Sequence, residues 1–316
     1  YEREMAFYVQ DPWQVRDEFI GVVLDRSIPN VEQFFARQAV RELSREEKVK
    51  VLKLLEMQRH AMLMQTSCGW FFDEISGIEP IQIIQYAARA MQLAREVSGV
   101  ELEPAYLKIL ERAPSNVPNL KTGARVYEMF VKPAMVDLLR VGAHYAMSSM
   151  FVEYPKVTKI YCYTVDREIY DRVESGKQKV AIGRVRLRSD ITWEEMDLSF
   201  AVLHLGDHNL NGGVRELLGN EAFASMAREI KEAFLKGDIP GVVRLTDKHF
   251  DTHNYSLWHL FKHEQRKALS QILSFTAKEI EAFFQHIYDD HYPIMQAMHE
   301  MHVPLPKSIA IPMEYI

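Results

Sequence analysis

In Thr158-Lys159-Ile160-Tyr161-Cys162-Tyr163-Thr164, near the middle of the chain, the side chains alternate with a period of two. Every second residue is Thr, Ile or Cys, and the residues between them are Lys and Tyr. β-Branched and aromatic side chains in this alternation are typical of a half-buried β-strand. Because the patterns on both sides have the 3.6-residue period of helices, the segment predicts a sheet set between two helical regions.

Two further strands are predicted after this segment. Glu174-Ser175-Gly176-Lys177 predicts a hairpin turn, and residues 179–188 predict the next strand. The apolar residues of that strand change phase at Gly183, which predicts a β-bulge there. A third strand is predicted over 196–204, and its second half is apolar on both faces. We expect these strands to form an antiparallel sheet.

Helical patterns occupy the rest of the chain. Ser44 and Glu47 form a capping box ahead of a long helix over about 45–65. A further helical pattern over 121–150 contains Pro133, where we expect a kink because proline removes a backbone hydrogen bond. The alternative is two separate helices. After the sheet, helices are predicted over 221–236, 239–250, 256–270, 276–288 and 290–302.

The predicted fold class is therefore α+β, mainly α. We expect a helical bundle with a small antiparallel β-subdomain inserted near the middle of the chain. The division that follows has an N-terminal helical region over 1–152, the β-subdomain over 153–215 and a C-terminal helical region over 216–316.

Composition excludes several classes of protein. The chain has 316 residues, a net charge of -6 and two cysteines, which is unlike the basic face of a nucleic-acid binder and unlike a disulfide framework. No apolar run reaches the roughly 20 residues that span a bilayer, so we expect no membrane partner and a cytoplasmic location. The start, Tyr1-Glu2-Arg3-Glu4, has no initiator Met, and we expect the C-terminal part of a longer polypeptide.

The first candidate site is the run Ser67-Cys68-Gly69-Trp70-Phe71-Phe72-Asp73-Glu74-Ile75-Ser76-Gly77, between two helical segments. Aromatic rings beside carboxylates suit sugars and other polar-ring ligands, so Trp70, Phe71, Asp73 and Glu74 are candidate substrate-binding residues. The alternative is that the aromatic residues fill the core between the two helices.

The second candidate site is Gly206-Asp207-His208-Asn209-Leu210-Asn211-Gly212-Gly213. Asp207, His208 and Asn209 are candidate substrate-binding residues in a second wall of the cleft, and His208 titrates near neutral pH. The alternative is a turn in which Gly and Asn adopt positive φ.

Two weaker patterns do not predict a site. His259 and His263 are one helical turn apart, but the metalloprotease pattern His-Glu-x-x-His is absent, and we expect no metal. Arg184, Arg186 and Arg188 share one strand face that could bind an anion, although a solvated face is the simpler interpretation. No phosphate-binding glycine loop is present, and no cofactor is expected.

The helical pattern around the first site resembles a known family. The run from Met62 through Thr66-Ser67-Cys68-Gly69-Trp70-Phe71-Phe72, with Gln85-Tyr86-Ala87-Ala88-Arg89 after it, resembles the C-terminal helical region of glycoside hydrolase family 57, over about Ser44–Val97. Cys68-Gly69 stands where that family has Ser-Asp. As a whole, the chain is similar to the uncharacterised domain that follows the family-57-like catalytic domain in a set of bacterial proteins.

The resemblance implies an accessory domain that packs on a catalytic barrel of the same polypeptide and contributes walls to an α-glucan cleft. It implies no catalytic residue in this chain, because the family's two carboxylates come from the barrel. One alternative is a structural or protein-interaction helical module without ligand contact. Another is a self-contained enzyme that uses His208 and nearby carboxylates.

Overall fold

The computed structural model describes residues 1–206, 208–251 and 254–303, except the side chains of 262–264, 271 and 275. The fold is α+β and mainly α, as predicted. The described strands form one antiparallel sheet whose spatial order is the order of the chain. They are β1 (Val157–Ile160), β2 (Tyr163–Ser175), β3 (Gln178–Ser189), β4 (Glu195–His204), β5 (Leu210–Glu216) and β6 (Asn254–Ser256).

Helices precede and follow the sheet. Within the described ranges they are α1 (Glu2–Met5), α2 (Pro12–Glu18), α3 (Ile20–Leu24), α4 (Ile28–Gln38), α5 (Arg45–Leu63), α6 (Ile78–Ser98), α7 (Glu103–Leu110), α8 (Gly123–Val126), α9 (Leu138–Ser148), α10 (Asn220–Leu235), α11 (Ile239–Phe250) and α12 (Lys262–Glu300). The predicted capping box is confirmed: the Ser44 side chain accepts from the Glu47 N–H, and the Glu47 carboxylate accepts from the Ser44 N–H. The division into domains stays a prediction.

The sheet is covered by helices on both faces. Ala181, Phe200 and Val202 lie in one buried cluster with α9 and the start of α12. Ile182 and Leu203 lie in another cluster with α10 and α11. This two-sided burial explains why the second half of β4 is apolar on both faces. A separate cluster holds α1 to α5 together.

The predicted bulge is on the opposite strand. The register shifts between Arg167 and Ile169 of β2, while β3 runs without interruption past Gly183. A Cβ at Gly183 would lie 2.3 Å from the Phe200 ring, so glycine is needed there for close packing. The phase change has another cause: Val180 and Ile182 lie in the cluster with α10 and α11, whereas Val185 and Leu187 lie in the cluster on the other face of the sheet.

The segment after β4 is a strand, which the sequence did not predict. Leu210–Glu216 is a fifth strand, β5, where the sequence suggested a glycine-rich loop up to Gly213. A Cβ on Gly212 would lie 2.5 Å from the Ala201 carbonyl oxygen, and one on Gly213 would lie 2.1 Å from the Phe250 ring. These glycines let α11 and β4 approach β5, which is why the segment looked like a loop in sequence.

Two helical predictions were also wrong in detail. The three helices predicted over 256–302 are a 3₁₀ turn (Leu257–His259) and one helix of 39 residues, α12, with Pro293 inside it. The pattern over 121–150 is divided into α8, a π-helical and a 3₁₀ segment up to Ala134, and α9. Pro133 lies in the 3₁₀ segment, where the expected kink is a full interruption.

Candidate functional site

The aromatic run forms an exposed loop between α5 and α6. Trp70, Phe71 and Phe72 are 75%, 73% and 50% exposed, so none of them fills the core. The rings of Phe71 and Phe72 meet edge to face at 5.1 Å. A Cβ on Gly69 would lie 2.9 Å from Ile83, so glycine allows the loop to lie close against α6. The result is an apolar surface presented to solvent.

Glu74 holds this loop in place. Its Oε1 accepts hydrogen bonds from the Ser76 N–H and the Ser115 hydroxyl, both at 2.8 Å, and its Oε2 accepts one from the Asn116 N–H at 2.5 Å. These bonds hold the pKa of Glu74 at about 2. The Asn116 side chain donates to the Asp73 carbonyl oxygen at 2.9 Å. Both oxygens of Glu74 are thus engaged within the protein, while Asp73 is exposed.

The second predicted site is a tight turn between β4 and β5. His208 and Asn209 are exposed, and the Leu205 N–H donates to the Asn209 carbonyl oxygen at 2.9 Å. The Asn209 N–H donates to the Gly206 carbonyl oxygen, and Gly206 has φ 104°. Asp207 lies outside the described residues.

The two predicted sites lie at opposite ends of the sheet. A Cβ on Gly206 would lie 3.8 Å from Lys177, at the hairpin that ends β2. The aromatic loop packs on α6, and α6 shares a cleft with Tyr163, at the start of β2. β2 has 13 residues and therefore extends about 40 Å. The geometry of the described residues does not bring the two groups into one cleft.

A polar cleft of about 230 Å³ lies beside the aromatic loop, between α5, α6 and β2. Among its lining residues are His60, Gln85, Tyr86, Arg89 and Tyr163. The rings of His60 and Tyr86 are 6.0 Å apart. Burial lowers the pKa of His60 and raises the pKa of Tyr163 to about 12. At neutral pH both side chains are therefore uncharged hydrogen-bonding groups.

The chemistry of this cleft is suited to binding. His60 Nδ1 lies 2.8 Å from the Glu56 carbonyl oxygen, which can only accept, so Nδ1 carries the proton and Nε2 is an acceptor. Three glutamine amides, two tyrosine hydroxyls and the Arg89 guanidinium add donors and acceptors. No carboxylate is among the residues that line the cleft, so it does not supply the paired carboxylates of a glycosidase.

A pattern in the sequence of α6 indicates this cleft. Gln82, Gln85, Arg89 and Gln92 follow one another at spacings of three, four and three residues. That spacing places them on one face of α6, beside the apolar stripe of the same helix. When the neighbouring face of a helix is packed, a stripe of amide side chains indicates a polar cleft or a buried hydrogen-bond network.

Of these weaker patterns, His259 and Arg186 have structural contacts. His259 Nδ1 accepts from the Ser256 N–H at 2.9 Å and caps a 3₁₀ turn; the side chain of His263 is outside the description. Arg186 pairs with Glu168 and Asp197. Among the described residues, no group of three His, Cys, Asp or Glu side chains could hold a metal ion.

One protein family matches the chain. It is described as a domain of unknown function (DUF3536), and it covers residues 1–261. The chain belongs to this family. No curated protein matches it, and neither does any solved structure. The DUF3536 match includes the aromatic loop, the polar cleft and the sheet, and it ends one residue before α12 begins. In the part of this DUF3536 chain that the structure describes, no helix is long and apolar enough to cross a membrane.

Proposed function

We propose that the chain is the accessory domain of a family-57-like glycoside hydrolase or glucanotransferase. In this role it packs beside a catalytic barrel of the same polypeptide and contributes a wall of an α-glucan cleft. The observation that carries the proposal is the aromatic loop, whose Trp70 and Phe71 are exposed while Glu74 fixes the backbone below them. A rigid, exposed aromatic surface binds a ring ligand with little loss of conformational entropy.

The polar cleft supports the same function. Gln82 lines the cleft, and the next residue of α6, Ile83, contacts Gly69 at the base of the loop. Aromatic faces and amide or hydroxyl donors therefore occur side by side on α6. This combination matches a sugar, which has apolar ring faces and hydroxyl edges.

Binding of α-glucans by the 316-residue chain tests the proposal. Affinity electrophoresis in gels that contain glycogen, with calorimetry on maltoheptaose, should show binding. Trp70→Ala should weaken it about tenfold, because one aromatic contact contributes on the order of 1–1.5 kcal/mol. Trp258→Ala is the matched control, since Trp258 is 66% exposed and lies near the far end of the chain. Equal binding by wild type and Trp70→Ala would refute the role of the loop.

A second candidate function is a protein-interaction module, favoured by the exposed arm of α12. Residues 277–294 of this helix are exposed. Five apolar residues recur at intervals of seven, which is the spacing of a coiled-coil seam: Leu273, Ile280, Ile287, Ile294 and Met301. A stripe of this period pairs best with another helix that has the same period, so the partner that we propose is α12 of a second copy.

The oligomeric state distinguishes this candidate. Sedimentation equilibrium should show a dimer for the wild type and a monomer for Ile280→Glu/Ile287→Glu. The control is Ala282→Glu/Gln296→Glu. It adds the same charge at positions two residues after Ile280 and Ile294 of the seam, and it should leave the dimer intact. A monomeric wild type at high concentration would eliminate self-association through α12.

A further inference from the structure

A large basic groove lies on another part of the molecule. It measures about 760 Å³ and runs between α4, the start of α5 and the edge of the sheet. Two acidic residues, Glu32 and Asp190, line it. Five cations also line it: Arg26, Arg45, Lys48, Lys159 and Arg188. Outside the lining, Glu56 pairs with Arg26 and Glu195 pairs with Arg45, so Lys159 and Arg188, which share Asp190, are the cations with the least compensation. A concave surface with low-dielectric walls concentrates the field of such cations on a ligand.

Two of the cations are held firmly at the helical wall. Arg26 Nη2 lies 2.6 Å from Glu56 Oε1, and its guanidinium lies 5.3 Å from the centre of the Phe19 ring. Lys48 Nζ lies 2.6 Å from Glu32 Oε2. Glu56 is buried and also bonds Arg59 at 2.8 Å, so its single charge is divided between two guanidinium groups. The cations of this wall are therefore fixed in place by carboxylates.

The sheet wall has more cationic donors than carboxylate acceptors. Lys159 Nζ lies 3.3 Å from Asp190 Oδ2, and Arg188 Nη2 lies 3.7 Å from Asp190 Oδ1. Both separations exceed the 2.7–2.9 Å of a charge-assisted hydrogen bond. Asp190 Oδ1 instead accepts from the Thr164 hydroxyl at 2.8 Å. Two cations thus share one distant carboxylate, and their N–H donors can bind an anion.

Trp193 adds a strained aromatic wall. It has φ 59°, a left-handed conformation that is costly for a bulky residue. The Trp193 N–H donates to the Ser189 carbonyl oxygen at 3.0 Å, and the indole packs on Phe35 at 6.2 Å. The turn between β3 and β4 holds this conformation, because the Ser189 N–H also donates to the Glu194 carbonyl oxygen at 2.9 Å. Here it places an indole beside the cations of the groove.

We propose that this groove binds a phosphorylated sugar. The phosphate lies between Arg188 and Lys159, because a guanidinium can bind two phosphate oxygens at once. The Trp193 indole contacts the apolar face of the sugar ring, and Glu32 and Asp190 accept hydrogen bonds from its hydroxyls. The groove shares no lining residue with the aromatic loop or the polar cleft, so this site is independent of the proposed glucan surface.

Calorimetry with glucose 6-phosphate, glucose and inorganic phosphate tests the proposal. Glucose 6-phosphate should bind with a 1:1 stoichiometry, and its affinity should fall as NaCl rises from 50 to 300 mM. Glucose should not bind in the groove. Arg188→Gln should weaken glucose 6-phosphate binding about tenfold or more, as expected for loss of a charge-assisted contact. Arg172→Gln is the control, because Arg172 is similarly exposed on the same sheet and pairs with Glu174 at 3.1 Å.

A second variant separates the sugar from the phosphate. Trp193→Phe should weaken glucose 6-phosphate binding while leaving inorganic phosphate unchanged, with thermal unfolding as the check on folding. The proposal is overturned if glucose 6-phosphate does not saturate, if Arg188→Gln binds like wild type, or if inorganic phosphate binds as tightly as the sugar phosphate. Preferential binding of RNA or heparin would also overturn it. Because Trp70→Ala leaves this groove unchanged, failure here and failure of the glucan proposal are separate results.

Discussion

At the scale of single residues, Glu74 gives the aromatic loop its shape. A carboxylate that accepts three hydrogen bonds from two segments joins residues that are about forty positions apart in the chain. Ligand binding was expected of this carboxylate, but its oxygens are engaged with Ser76, Ser115 and Asn116. Trp70 and Phe71 remain the loop residues with the best access to a ligand.

The loop should loosen in acid. The pKa of Glu74 is lowered to about 2, below the value of about 4.3 in an unfolded chain. Its contribution to stability is therefore complete above about pH 5 and is lost as the pH falls towards 2. Amide exchange at Asn116 should accelerate over this range in the wild type and should be fast throughout in Glu74→Gln. Glu101→Gln, at an exposed position, should behave like wild type; if Glu74→Gln does too, the loop is not held by this carboxylate.

Gly213 should tolerate no side chain. A Cβ there would lie 2.1 Å from the Phe250 ring, and overpacking of this kind costs about 1–3 kcal/mol. Urea unfolding should therefore show a loss of that size for Gly213→Ala. Gly21→Ala is the control, since nothing lies within 4 Å of its Cβ position and alanine is favoured in a helix. A neutral Gly213→Ala would mean that α11 does not lie so close to β5.

At the scale of elements, α12 differs from the other helices. Its first turns pack on the sheet through Ala268, Leu269 and Ile272, and its remaining length is exposed. By contrast, α10 is amphipathic and buries Phe223, Met226, Ile230 and Phe234. Packing against the sheet stabilises α10. The arm of α12 has its own backbone hydrogen bonds and surface contacts such as the Glu279–Lys177 ion pair, but no buried apolar face unless a second helix covers it.

Two isoleucine-to-alanine variants measure the difference in packing between α10 and the arm of α12. Ile230→Ala removes a fully buried side chain and should lower the free energy of unfolding by about 2–5 kcal/mol. Ile294→Ala removes a side chain that is 61% exposed, and in dilute protein it should change that free energy by less than about 0.5 kcal/mol. Similar losses for the two variants would show that the arm is packed.

The helix and strand patterns show which elements could be predicted from the sequence. Helix α5 was predicted because a capping box and an apolar period coincide, and β3 and β4 because their residues alternate. The strand predicted over 158–164 is divided into β1 and the start of β2, because the chain turns at Tyr161, which has φ 54°. β5 was missed because its glycines serve packing, and a single sequence cannot distinguish such glycines from those of a loop. The bulge was assigned to β3 because its apolar residues change face where different helices cover the two faces of the sheet. The polar cleft was missed because Tyr163 reaches it from β2, far along the chain from α6.

At the scale of the whole molecule, an ionic network joins the N-terminal helices to the sheet. Lys53 Nζ lies 2.6 Å from Glu194 Oε1 and 3.0 Å from Glu96 Oε2. The Lys53 side chain is only 10% exposed, so water screens these contacts little. Arg45 and Glu195 make a second ion pair between α5 and the start of β4. The polar cleft and the basic groove both lie along this junction.

Removal of Lys53 should weaken the junction. Lys53→Met leaves two partly buried carboxylates without their cation, and the free energy of unfolding should fall by about 1–3 kcal/mol. Lys132→Met breaks an exposed pair with Glu128 and should cost less than about 1 kcal/mol. Urea unfolding of both variants, with Glu194→Gln to complete a double-mutant cycle with Lys53→Met, gives the coupling energy. A coupling energy near zero would show that the pair does not join the two regions.

The sequence by itself determined the class of the fold, the approximate limits of α5, α10 and α11, and the presence of an aromatic turn between α5 and α6. These features depend on residues close together in the chain, where period, caps and turn chemistry act locally. Only the tertiary structure decided that Trp70 and Phe71 are exposed, that Glu74 bonds the loop at Ser115 and Asn116, and that His208 lies at the far end of the sheet. Each of these depends on contacts between residues far apart in the chain, and a single sequence does not carry that pairing.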